Sequence, residues 1–229
     1  WVYNRQSTLI IGVYFSNTGG QQWIQLKGGM PTIAVRDIAI QKRENDLVLA
    51  TFGRSFYVLD DYSSLRNATA ETFKGDAHIF PIKEALSYIE ETPVGYPLKG
   101  FQGESYYATP NPAVGAVFCY YLKDDILTIK EARQKAEKEK IKNGEPPFYP
   151  SADSIRMEDA QPAPYLLFTI TDESGGVVRK IKAPAKKGMN RIKWDLRYAA
   201  PSPVSFQSPD ATNPYDQAPI GYMTMPGNY

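Results

Sequence analysis

The amino-acid sequence predicts an all-β chain in two parts, a meander of short strands and then a sandwich of longer ones, with one charged helix inserted. Three observations predict it. Short β-branched and apolar runs recur throughout, and 17 Gly with 18 Pro punctuate them. Aromatic residues make up 13% of the chain, with 16 Tyr, a mixture that suits short strands joined by tight turns. At 229 residues the chain has room for two ordinary domains, each with its own core.

The elements follow in order. Residues 9–15 are an apolar run, residues 16–23 (Ser-Asn-Thr-Gly-Gly-Gln-Gln-Trp) are turn-rich, and Ile24-Gln25-Leu26 resumes the apolar pattern, so strand, turn, strand is expected. Residues 35–40, 46–51 and 55–60 are three further β-rich runs with short polar connections, which reads as one antiparallel meander. Residues 62–112 lose this periodicity and gather Pro, Gly and aromatics; they are read as a connector anchored by Phe80 and Pro81, with a short helix near residues 82–90. Residues 116–122 form an apolar strand that opens a second domain. Next comes an insert near residues 128–143, where Thr128 and Glu131 make a capping box, Glu131 and Lys135 stand four apart, and Gly144 can end the helix. Acidic residues interleave its lysines, which argues against a nucleic-acid arm. Beyond Pro162-Ala163-Pro164, Leu166, Phe168 and Ile170 alternate with Tyr165, Leu167 and Thr169. A turn at residues 172–176 leads to a strand at 177–181, and Ile192, Trp194 and Leu196 then alternate with Arg191, Lys193, Asp195 and Arg197. One buried and one wet face per strand is the pattern of a sandwich.

Composition removes several function classes. With 26 Lys+Arg against 25 Asp+Glu, the net charge of +1 gives no global field for nucleic acid or an acidic membrane, and no nucleic-acid partner is expected. The single cysteine, Cys119, permits no internal disulfide framework and reads as a buried strand residue. A single histidine, His78, leaves no second imidazole for a metal and makes any Ser-His-Asp triad depend on it alone. No apolar run approaches the roughly 20 residues that span a bilayer, so no transmembrane segment is expected. No Gly-rich phosphate loop, EF-hand spacing or complete nucleophile elbow is found. Both ends, Trp1-Val2-Tyr3 and Pro226-Gly227-Asn228-Tyr229, are read as cut through strand-like sequence.

Two stretches resemble known families. Ser16, Gly20 and Trp23 match the Asp-box of sialidase and sortilin-type propellers, Ser-x-Asp-x-Gly-x-Thr-Trp, with Thr18 standing at the Asp position and Gln22 at the Thr position. Residues 35–61 are similar to the closing blade of bacterial BNR-repeat (sialidase/VPS10-sortilin-like) propellers, in which His commonly replaces Phe52 and Gly replaces Ser55. Residues 116–198 resemble an immunoglobulin-like β-sandwich of secreted bacterial enzymes through Ile170, Asp172, Gly175, Val178-Arg179, Gly188 and Trp194-Asp195. The resemblance implies the last blades of a β-propeller at residues 1–61, a connector at 62–112, and at 113–229 an incomplete immunoglobulin-like sandwich. It also implies that Ser16, Thr18, Gly20 and Trp23 are structural.

A sialidase site needs an arginine cluster, a Tyr nucleophile with a Glu base and an Asp acid from several blades, more than these residues supply. No catalytic residue and no metal ligand are therefore assigned. Arg36, Asp37 and Arg54, near strand ends, are the candidate ligand-binding residues; a plain surface pair and a packing arginine are the alternative. Asp60-Asp61 could offer oxygens to Ca²⁺, although adjacent strand residues point to opposite faces and a hairpin cap fits them better. Asn67-Ala68-Thr69 matches a glycosylation sequon. The expectation is a fragment of an extracellular, periplasmic or outer-surface propeller protein that binds a peptide or glycan or acts as a scaffold, partnered by the remaining blades of its own propeller. The alternative is the non-catalytic part of a sialidase-like glycoside hydrolase.

Overall fold

The computed structural model describes residues 2–3, 12–89, 111–112, 114–147, 149–203 and 219–229. Most of its regular structure is short strands in small antiparallel sheets, with three helices among the described residues and no closed sheet. The chain divides into two compact units, residues 1–81 and 82–229.

In the first unit, β1 (Val2–Tyr3), β2 (Val13–Phe15) and β3 (Ile24–Leu26) form one antiparallel sheet. A second consists of β4 (Val35–Gln41), β5 (Asp46–Thr51) and β6 (Phe56–Leu59) in the order β4-β5-β6. Val13, Val35, Leu47, Leu49 and Tyr62 are buried together, with Leu26, Ile38, Tyr57 and Leu59 packed around them, so both sheets feed one core. The three-stranded meander arises because each of its strands is β-branched or apolar and each connection is short and polar.

The described part of residues 62–112, expected as a connector, holds more regular structure than the sequence predicts in one place and less in another. A one-turn helix α1 (Ser63–Arg66) and a short strand β7 (Ala77–Ile79) precede Phe80, which is 1% exposed, while Pro81, expected to share the anchoring, is exposed. The helix expected near residues 82–90 is absent over the described residues 82–89. Its apolar side chains find no surface: Leu86 is 75% and Ile89 74% exposed, and Ala85 alone packs onto a core. A helix of two turns without a buried face does not offset its own nucleation cost.

The second unit is built on β8 (Ala116–Leu122), β9 (Tyr165–Thr171), β10 (Val177–Pro184) and β11 (Gly188–Trp194). Strand β8 pairs antiparallel with β11, from Ala116↔Trp194 to Leu122↔Gly188, and β9 pairs antiparallel with β10. The two pairs pack face to face. Ala116, Phe118 and Trp194 meet Ile170 and Val178 at one end, and Tyr120 and Leu122 meet Ala183, Leu166 and Phe168 at the other. The Tyr120 hydroxyl, from a side chain 1% exposed, donates to the Pro184 carbonyl at 2.7 Å and so pins β8 to β10. Cys119 is buried in β8, with its side chain on the face opposite that of Phe118 and Tyr120.

Two glycines let backbone meet backbone here. A Cβ on Gly115, at φ 108°, would stand 2.0 Å from the Trp194 carbonyl oxygen, and one on Gly221 would stand 1.9 Å from that of Tyr198. Residues 219–229 run beside the end of β11: Tyr198 N–H donates to Tyr222 O at 2.9 Å and Thr224 N–H to Leu196 O at 2.8 Å. The Tyr229 ring meets the Trp194 indole edge to face at 5.2 Å.

The charged insert is α2 (Ile129–Lys142), and α3 (Ala152–Ala160) follows it. The capping box forms as the sequence predicts: Glu131 N–H donates to Thr128 Oγ1 at 3.1 Å, and Thr128 N–H to Glu131 Oε2 at 2.8 Å. That carboxylate reaches back to the cap rather than forward to Lys135. At the other end Gly144 N–H bonds Ile141 O and Glu145 N–H bonds Lys140 O, a Schellman closure.

Candidate functional site

Residues 16–23 fold into a turn held by two hydroxyls. Ser16 Oγ, buried, accepts the N–H of Gly20 at 2.9 Å and of Thr18 at 3.3 Å, and Thr18 Oγ1 accepts that of Gln22 at 3.0 Å. Short hydroxyl side chains compete well for local backbone donors, which is why this octet turns. The indole of Trp23, 42% exposed, lies over Gly20, where a Cβ would be 3.7 Å from Cζ2. The Asn17 side-chain amide donates to the Ala68 carbonyl and ties the turn to the segment after α1. These residues hold backbone, with no exposed acid, base or nucleophile among them.

The three candidate ligand residues lie on the β4-β5-β6 sheet. A bulge between Val35 and Asp37 re-aims Arg36, whose guanidinium stacks over the Phe52 ring at 4.8 Å. Thr51 N–H and Oγ1 both donate to Ser55 O, at 3.1 and 2.7 Å, closing the turn that carries Phe52, Gly53 and Arg54 outward. Ser55 takes φ 64° in this turn, a left-handed conformation that Gly would adopt without strain. The structure thus brings Arg36, Phe52 and the turn bearing Arg54 to one end of the sheet, and all three side chains are exposed. Asp37 follows the bulge, exposed and opposite Ala50, and its Oδ1 accepts the neighbouring Ile38 N–H at 2.8 Å.

Of Asp60-Asp61, it is Asp61 that braces the start of α1. Asp61 Oδ1 accepts the Ser63 N–H at 3.1 Å at the start of α1, and the Asp61 N–H donates to Asp46 Oδ1 at 3.0 Å. Among the described residues no group of three His, Cys, Asp or Glu side chains could hold a metal ion. No described helix is long and apolar enough to cross a membrane.

Helix α3 and the charge cluster that it forms with α2 were not expected. Arg133 donates Nε and Nη2 to the two oxygens of Glu158 at 2.6 and 2.7 Å, and Nη1 to Glu137 at 2.6 Å. The Glu158 side chain is 2% exposed, and the hydrogen bonds from Arg133 hold its carboxyl below the usual range while raising the guanidinium's own pKa. A cleft of about 320 Å³ opens beside this cluster, lined by Lys130, Tyr149, Pro150, Ile155 and Asp159. Its central cation is already saturated by two carboxylates, so the arrangement clamps two helices together. The signals were Ser151 three residues before Ser154, which caps α3 through Ser154 N–H at 3.2 Å, and the spacing of four between Arg133 and Glu137.

No family model, no curated protein and no solved structure matches this chain, so the functional reading rests on its own residues.

Proposed function

We propose that the chain is part of a β-propeller protein of the outer cell surface that binds a peptide or glycan, with its second unit an immunoglobulin-like sandwich serving as spacer or docking module. One observation carries this: the outer face of the β4-β5-β6 sheet carries exposed apolar side chains behind an inner face that is buried in the core. Its inner face supplies Leu47, Leu49 and Tyr57 to the core, while its outer face presents Ala39, Val48 and Val58 in one row and Ala50 and Phe56 in the next, where Asp37 stands opposite Ala50, and the Gln41–Asp46 pair closes one end; Phe56 is 70% and Val58 56% exposed. Exposed Phe56 and Val58 on the outer face call for cover there, and the remaining blades of the same propeller are the cover proposed. The hydroxyl-held turn at residues 16–23 supports the same reading, because it performs the stapling that the Asp-box resemblance implies.

Arg36, stacked on the exposed Phe52 ring, and Arg54, on the same turn as Phe52, offer cations and an aromatic platform to a carboxylate-bearing ligand. The test is a glycan and peptide array run beside a fluorogenic sialoside assay. Binding without turnover is expected, and Arg36→Ala with Arg54→Ala should weaken it about tenfold, or about 1.4 kcal/mol. Turnover of the sialoside by this chain, or binding to no peptide or glycan, would refute the proposal, and unchanged binding by the double variant would refute the assignment of Arg36 and Arg54.

A further inference from the structure

Charge is unevenly spread along a chain whose total is nearly neutral. Between Arg179 and Arg197 the sequence places eight Lys or Arg against one carboxylate, Asp195. The strands β8 to β11 contain no Asp or Glu at all.

The pairing of β9 with β10 decides where part of this charge points. Tyr165 stands opposite Pro184, Leu167 opposite Lys182, and Thr169 opposite Lys180, and all six residues are exposed on the face turned away from the core. The Lys182 ammonium lies 4.5 Å over the Tyr165 ring, which is 48% exposed. Among the described residues neither Lys180 nor Lys182 is in an ion pair. The nearest turn carboxylate in the hairpin, Asp172, is occupied: its Oδ1 accepts the N–H groups of Ser174 and Gly176 at 2.9 and 2.8 Å. The result is a flat strip of two ammonium groups, a ring and a hydroxyl with no acidic neighbour on it.

We infer that this strip is a binding face for an anionic polysaccharide, one bearing carboxylate or sulfate groups. The ammonium groups match the charge of such a chain, the Tyr165 ring offers an apolar surface to a sugar face, and Thr169 supplies a hydrogen-bonding hydroxyl. A polysaccharide suits the strip better than a duplex nucleic acid, because two lysines on a chain of net charge +1 neutralise few phosphates. The inference deepens the glycan reading above and rests on it, but places the ligand on a different unit from Arg36 and Arg54.

The test passes the purified chain over immobilised heparin, polygalacturonate, neutral dextran and duplex DNA at low salt. Retention on an acidic polysaccharide and not on dextran is expected, released by salt and weakened about tenfold in Lys180→Glu/Lys182→Glu. The milder Lys180→Gln/Lys182→Gln and Tyr165→Ala should weaken it less, with unchanged thermal midpoints. A charge-matched pair on α2, Lys138→Glu/Lys142→Glu, should leave retention intact. The sulfated and carboxylated columns separate the two anion sources. Equal loss in the α2 pair, no loss in the β10 pair, or equally firm retention on DNA would overturn the inference. Retention lost only in Arg36→Ala/Arg54→Ala would refute this face while sustaining the glycan reading; no retention on any sugar column would fail this face and leave the peptide arm of that reading to the array.

Discussion

Gly115 is the residue at which the second unit has the least room to change. Its φ of 108° and the 2.0 Å that would separate a Cβ from the Trp194 carbonyl mean that Gly115→Ala must push β8 and β11 apart. A loss of at least about 2 kcal/mol in urea unfolding is expected. Trp194 itself, 3% exposed and at the centre of one core cluster, should cost about 3–5 kcal/mol as Trp194→Ala, measured the same way. Asp172 makes a pH-dependent contribution. Hydrogen bonds from the Ser174 hydroxyl, and then from backbone N–H groups of the turn, hold its carboxyl below the ordinary range. The native state therefore binds this proton less readily than the unfolded chain. The stabilisation is fully present above about pH 4 and disappears as pH falls through the lowered native value. Asp172→Asn should accordingly lower the thermal midpoint at pH 7, while the two proteins should converge once pH falls below the lowered native value.

At the level of elements, helix α2 buries none of its residues and depends on its ends and on one cation. Thr128→Ala should cost about 1 kcal/mol of local stability, seen as faster amide exchange in the first turn. Replacing Arg133 by Met strands the nearly buried Glu158 without its counter-ion. The helical circular-dichroism signal should fall, and Glu158→Gln in the same chain should restore part of it. These helices also show what was legible beforehand. The capping box, Gly144 and the clean alternation of β9 and β11 are local patterns, and local patterns survive folding. The helix expected near residues 82–90 serves to shorten a long connector, and nothing in that expectation says whether a surface exists to receive its apolar side chains. Helix α3 was missed because its nine residues carry few apolar positions, and its attachment is an ion cluster spanning 25 residues of sequence. Arg36 and Arg54 could be nominated from their strand ends, but the bulge that turns Arg36 onto Phe52 has no sequence signature.

Across the whole molecule, the exposed apolar face of β4-β5-β6 sets the behaviour in solution. Phe56→Lys with Val58→Lys should reduce light scattering and dye binding at high concentration while moving the thermal midpoint by only a few degrees, since neither side chain is in the core. A stability loss as large as that of a core substitution would mean that the face is already covered within the chain.

The lone thiol has a practical consequence. Cys119 sits at 7% exposure in the middle of β8, paired across to Arg191. A thiol reagent can modify it only after that strand opens, so the rate of labelling in the unaltered protein is a clock for the opening of one sheet. Because the chain has no other cysteine, a fluorophore placed at an engineered surface cysteine, such as Lys138→Cys, would react far faster and selectively. Distance and labelling measurements on the same molecule then need no background mutations.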